Sequence, residues 1–161
     1  MNIELSEIER AAERLRPIIH HTELDRSTTF SAMSGGQIYL KCENRQKTGS
    51  FKIRGASNKI ASMTERGENR PVVASSAGNH AQGVAYAASR LGIPATIVMP
   101  TTTPYIKVER TKSHGAEVVL AGEVYDESYE HALKLAEEQG LTFIHPFNDL
   151  QVAAGQGSIA M

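Results

Sequence analysis

From residue 72 onward, short runs rich in β-branched residues alternate with longer amphipathic stretches, and a glycine follows each of those stretches. Val72-Val73-Ala74-Ser75, Ala95-Thr96-Ile97-Val98-Met99, Ala116-Glu117-Val118-Val119-Leu120 and Thr142-Phe143-Ile144-His145 read as strands. The segments 79–91, 104–113 and 125–139 read as helices with one apolar face. Gly92, Gly115 and Gly140 stand at the helix exits, where a left-handed residue often closes the last turn. Parallel neighbours need a crossover, and a crossover helix needs a sheet face to cover its apolar side. The expected fold class is therefore α/β, a small open parallel sheet with flanking helices.

Ahead of that alternation, Ser6 and Glu9 form a capping-box pattern, and Ile8, Ala11, Ala12 and Leu15 recur at helical spacing until Pro17. A first helix is predicted there. After an irregular segment, Gly35-Gly36 lead into residues 37–42, which alternate like a strand covered mainly on one face. Residues 43–49 read as a loop that delivers Ser50 as the N-cap of the next helix. At the other end, residues 152–161 read as the opening turns of a further helix, and this end resembles a cut through an element. No internal repeat, low-complexity tract or flexible linker is visible.

A chain of 161 residues suffices for one compact domain, burying roughly 70% of the surface that its unfolded form exposes. A net charge of −1 leaves no broad basic footprint for nucleic acid or anionic lipid, so neither is expected as a partner. Cys42 is the single thiol, which excludes an intrachain disulfide and fits a reducing compartment. The start, Met1 to Glu7, has neither a basic nor an apolar run, and no stretch approaches the roughly 20 apolar residues of a membrane span. A cytoplasmic location is the expectation.

Two blocks carry candidate chemistry. Lys52 lies in the first turn of a predicted helix between Phe51 and Ile53, where desolvation lowers an amine's pKa and frees its lone pair for attack on an aldehyde. A solvated surface lysine is the alternative. In Ser75-Ser76-Ala77-Gly78-Asn79-His80-Ala81-Gln82-Gly83 a strand bends into a helix whose unpaired N–H groups, beside an amide and an imidazole, suit a carboxylate. The competing reading is an ordinary turn with Ser76 or Asn79 as helix cap. His20, His21, His114, His131 and His145 have no metal-ligand spacing, and no GxSxG elbow or Walker A loop is present. Gly155-Gln156-Gly157 arrives too late for a dinucleotide fingerprint.

The segments Lys47-Thr48-Gly49-Ser50-Phe51-Lys52-Ile53-Arg54-Gly55-Ala56, Ser76 to Val84 and Ala154-Gly155-Gln156-Gly157 resemble the threonine dehydratase (threonine ammonia-lyase) family. That family belongs to the fold-type II pyridoxal phosphate enzymes, the tryptophan synthase β-like group. The likeness runs from about residue 8 to the end of the chain. It implies pyridoxal 5'-phosphate as cofactor, Lys52 as the lysine that bonds it, Phe51 as a wall of its site and Asn79 as the partner of its 3-hydroxyl. Ser76, Ala77, Gly78, Asn79 and His80 would cradle the carboxylate of a small amino-acid substrate. The implied reaction is elimination of water and ammonia from L-threonine or L-serine to a 2-oxo acid, Lys52 taking the Cα proton. A homo-oligomer is implied for the full-length parent.

The same resemblance implies three regions: 1–50 as an incomplete part of the large domain, 51–148 as the small α/β domain, and 149–161 as the start of a return to the large one. Serine racemases are similar too, but carry a serine base where Ala77 stands, so Ala77 favours elimination. Departures are Thr22-Glu23-Leu24 where Thr-Pro-Leu is common, and Leu150 where a proline is frequent. Family members are longer, and the glycine run for the cofactor phosphate and the group facing the pyridine nitrogen lie beyond the matched region. A non-catalytic module keeping this fold is therefore the competing reading for these residues alone.

Overall fold

The structure is a computed structural model and describes residues 2–161. Helix α1 spans Leu5–Leu15. It starts ahead of the expected Ser6 cap: Glu4 stands at the cap, and its N–H is held by the Glu7 carboxylate at 3.1 Å. Beyond Leu15 the chain leaves the helix in a tight turn around Pro17, as a residue without N–H requires.

The stretch read as irregular contains two elements. Strand β1, Leu24–Arg26, pairs antiparallel with β2, Tyr39–Lys41, in the register Leu24↔Lys41. Between them lies helix α2, Thr28–Ser34, capped by Ser27 Oγ on the Phe30 N–H and closed by Gly35 at φ 71°. The strand expected over 37–42 thus keeps three residues. It is also more open than expected, with Tyr39 50% and Leu40 39% exposed.

The alternation that follows matches the predicted one: α3 (Lys52–Glu65), β3 (Val72–Ser75), α4 (Asn79–Arg90), β4 (Ala95–Met99), α5 (Tyr105–Lys112), β5 (Glu117–Leu120) and α6 (Tyr125–Gln139). Strand β6 is Thr142–Phe143, helix α7 is Leu150–Gly157, and a 3-10 turn, Ser158–Ala160, follows. Phe51, not the expected Ser50, stands at the cap of α3, with angles already helical (φ −63°, ψ −16°); Ser50 one residue earlier still accepts the Lys52 N–H on its Oγ at 3.0 Å. Gly92, Gly115 and Gly140 have φ of 66°, 92° and 66°, the left-handed exits anticipated. Strand β6 stops two residues short of its expected end at 145, because the Ile144 carbonyl accepts from His80 Nε2 and Pro146 offers no donor.

Four strands form one parallel sheet in the order β5-β4-β3-β6. Alternation along β3 divides its side chains between two layers. Val72 and Ala74, with Ile97 and Met99 of β4, face a core completed by Ile60 and Met63 of α3, Val84 of α4 and Val108 of α5. Val73 and Val98 face α6 through Ala132, with Leu135, Ala136 and Phe143 beside them. Connections leave β3 toward β4 on one side, whereas β6 returns on the other. The carboxyl end of β3 is therefore the topological switch, the place where α/β sheets bind ligands.

Helix α7 crosses α3 backbone to backbone. A Cβ on Gly155 would stand 2.7 Å from the Arg54 carbonyl oxygen and from Gly55 Cα, while Gln156 Oε1 accepts the Gly55 N–H at 3.1 Å. The late Gly155-Gln156 pair serves helix packing. No helix among the described residues is long and apolar enough to cross a membrane.

Candidate active site

Two helix N-termini meet at the switch point. The first turn of α3 brings Lys52, and the bend from β3 into α4 brings Ser76 to His80. Gly83 lets them approach: a Cβ there would lie 3.2 Å from the carbonyl carbon and oxygen of Lys52. The backbone of Lys52 consequently rests on α4, one turn from Asn79.

A third segment, the exit of β6, clamps both. His80 Nε2 is 2.9 Å from the Ile144 oxygen, and Lys52 Nζ donates to the Pro146 oxygen at 2.8 Å. His145 stands between those carbonyls, its Nδ1 accepting the N–H groups of Phe147 (3.2 Å) and Asn148 (2.8 Å). Asp149 then caps α7, accepting from Gln151 and Val152 at 2.8 and 3.0 Å. None of these roles was expected of residues 144–149. Asp149 was findable as an acidic N-cap, but a carbonyl has no sequence signature.

Lys52 is half-buried, and burial pushes its amine below the ordinary lysine value. Its Nζ lies 5.6 Å from the centroid of the Phe51 ring. Ile53 is fully buried, as the apolar flank suggested, but Phe51 is 40% exposed.

Neither Ser76 nor Asn79 serves the bend as a helix cap. No side chain caps α4: the cap residue is Gly78, and Ser76 Oγ accepts from the Gly78 N–H at 3.1 Å instead. The Gln82 N–H is the one that reaches back to the Gly78 oxygen, at 3.5 Å, so the N–H groups of Asn79, His80 and Ala81 precede the helix's own acceptors. Gly78 has negative φ, and a Cβ on it would meet nothing within 4 Å. Open space lies over the bend, with Ala77 half-buried and Asn79 exposed beside it.

His80 departs from expectation. Its imidazole points into the protein, only 3% exposed, with Nδ1 unpartnered and Nε2 on Ile144. Burial pushes its pKa down to about 4, the nearby Lys52 and His145 add to the fall, and the bond to Ile144 opposes it. A neutral, inward ring does not meet a carboxylate; what His80 offers the bend is its backbone N–H.

Fold and site together define an open parallel α/β domain that presents a half-buried primary amine beside an uncapped helix N-terminus. The chain belongs to the pyridoxal-phosphate dependent enzyme family, whose model matches residues 15–161. It is 55% identical to the L-threonine ammonia-lyase of Thermotoga maritima over 159 residues, 99% of this chain and 40% of that protein. The processed form of threonine deaminase isoform 2 from Solanum lycopersicum superimposes with a TM-score of 0.87 at 39% identity, over 97% of this chain and 44% of that one. Maize serine racemase superimposes at 0.92 with 38% identity, over 99% and 48%. The chain thus spans between two fifths and one half of the length of these relatives.

The residues present fit the reactive end of pyridoxal phosphate. Lys52 supplies an amine depressed by burial, Phe51 an exposed aromatic face, and Asn79 an exposed amide, around a bend where even a Cβ at Gly78 meets nothing.

Proposed function

We propose that these residues form the lysine-bearing half of a pyridoxal-phosphate dependent ammonia-lyase. The reaction is elimination from L-threonine or L-serine, giving a 2-oxo acid and ammonia. The carrying observation is the half-buried Lys52 amine, 2.8 Å from the Pro146 oxygen, beside the uncapped N-terminus of α4. When bound, the cofactor supplies an aldehyde for that amine and an aromatic sink for electrons.

The chain's own residues divide the remaining tasks. Lys52 would hold the cofactor and, once the substrate's amine has displaced its own, would take the Cα proton, a task suited to an amine of lowered pKa. The N–H groups at the start of α4 hold the substrate carboxylate, with the helix dipole adding to their attraction. Asn79 holds the ring hydroxyl, and Phe51 walls one side. Ala77 carries no group that moves a proton, so this position supplies no second base. That supports elimination despite the likeness to serine racemase. The division into 1–50, 51–148 and 149–161 belongs to the same reading, with the phosphate cradle supplied by chain outside this sequence.

Treating the 161-residue chain with pyridoxal phosphate, reducing with borohydride and mapping the modified lysine by mass spectrometry tests the assignment. Modification is expected to concentrate on Lys52 and to vanish in Lys52→Ala. Label spread evenly over the surface lysines defeats it. Turnover of threonine by this chain alone is expected to be negligible; release of 2-oxobutanoate at about 1 per second or faster contradicts the need for a separate phosphate cradle. In a full-length parent, unmutated protein that interconverts L- and D-serine efficiently defeats the argument from Ala77.

A further inference from the structure

We propose that His145 is a positioning residue for Lys52: by gathering the N–H groups of Phe147 and Asn148 on Nδ1, it fixes the Pro146 carbonyl as the resting acceptor of the lysine amine. This deepens the functional reading above, on which it rests for the purpose of the amine, though its geometry stands separately.

The turn has few other ways to hold its shape. Pro146 has no N–H, and the next two donors, from Phe147 and Asn148, converge on one ring nitrogen at 3.2 and 2.8 Å. The turn is anchored upstream by the Ile144 N–H on the Val73 oxygen at 2.8 Å and downstream by the Asp149 cap of α7. Edge-on contacts fix the ring itself, with centroids 4.6 Å from Phe147 and 6.1 Å from both Phe143 and Tyr129. Nδ1 accepts only while unprotonated, so the proton of a neutral His145 sits on Nε2. Burial pushes its pKa down, with the charge of Lys52 adding and that of Asp149 opposing, which keeps the accepting form in place near neutrality.

The same turn decides what the amine does not touch. The Asp149 carboxylate pairs with Lys59 at 2.6 Å, while its other oxygen caps α7. Lys52 is thereby left with a neutral carbonyl and no carboxylate partner within salt-bridge reach among the described residues. A carbonyl orients an amine without the strong Coulombic pull toward the ammonium form that a carboxylate exerts. Held this way, the amine is parked on the Pro146 carbonyl beside the start of α4 and ready to be released.

The test uses the chain without cofactor. Trace labelling with acetic anhydride, read lysine by lysine by mass spectrometry, compares Lys52 with Lys134, whose side chain is 68% exposed. His145→Ala is expected to raise Lys52 labelling relative to Lys134 by about five-fold, the scale of one hydrogen bond. His145→Asn, whose Oδ1 accepts the same two N–H groups, is expected to restore the wild-type ratio. An unchanged ratio in folded His145→Ala overturns the proposal, as does an Asn variant that behaves like Ala. Hydrogen exchange in the unmutated chain needs no variant: the Phe147 and Asn148 amides are expected to be protected at neutral pH, and exchange at open-turn rates overturns the proposal outright. If borohydride leaves Lys52 unmodified while these readouts behave as expected, the functional reading falls and the positioning role stands. Modified Lys52 with failed readouts means the reverse.

Discussion

Burial decides what His80 is. The folded ring titrates at about 4, whereas an ordinary histidine takes its proton near 6.5. Above 6.5 both folded and unfolded chains are neutral at this position, and it contributes nothing to pH dependence. As pH falls from 6.5 to 4 the unfolded chain gains a proton that the folded chain refuses, so stability drops; at about 1.4 kcal/mol per pKa unit the loss is about 3 kcal/mol. His80→Gln retains a donor for the Ile144 carbonyl and does not titrate. Between about pH 7, above that fall, and about pH 4.5, most of the way through it, the urea midpoint is expected to move less for His80→Gln than for the unmutated chain; equal movement refutes the depressed value. Lys52 and the bend before Asn79 were legible in sequence because their chemistry is local: an amine among apolar neighbours and a glycine before a helix. The inward turn of His80 was not, because its partner lies 64 residues away, on a backbone atom.

Elements were legible where a hydrophobic period ran for several turns. Helix α6 occupies 125–139 as its apolar face foretold, and β3 and β4 fill their predicted spans. Short elements failed that criterion: β1 has three residues and α2 two turns, so their apolar positions show no period. Ser27 and Gly35 did mark both ends of α2, a pairing of cap residues that composition alone obscured. The Gly155-Gln156-Gly157 run owes its place to a contact between helices. Gly155→Ala tests that: alanine favours a helix interior by about 1 kcal/mol, but the new Cβ would sit 2.7 Å from backbone atoms of α3 that have no side-chain freedom to yield. Overpacking of this kind costs about 1–3 kcal/mol. A lower urea midpoint is expected, and a higher one shows that α7 shifts on α3 without cost.

On the scale of the whole molecule, a buried ion pair joins the amino-terminal layer to the α/β layers. Arg54 of α3 grips Glu43 with two bonds of 2.8 Å and reaches Ser158 Oγ at 3.1 Å, while Thr22 and Gln46 also bond the same carboxylate. Burial alone would raise the Glu43 pKa; the hydrogen bonds of Arg54, Thr22 and Gln46 and the charge of Arg54 outweigh it and hold the carboxyl below its ordinary 4.5. The stabilisation is complete above that value and lost as pH falls through the lowered one. The two-stranded ribbon β1–β2 depends on this joint, since an isolated pair of strands is marginal in water. Glu43→Gln leaves Arg54 buried without its counter-charge, which costs about 3–5 kcal/mol. Asp25→Asn, which removes the exposed pair with Arg45, costs less than about 1 kcal/mol. Hydrogen exchange is expected to show Glu43→Gln stripping protection from β1, β2 and the Ser158–Ala160 turn while β3 and β4 keep theirs. If protection falls evenly across the four-stranded sheet as well, the pair supports the whole fold uniformly and the layers are not separable at Arg54.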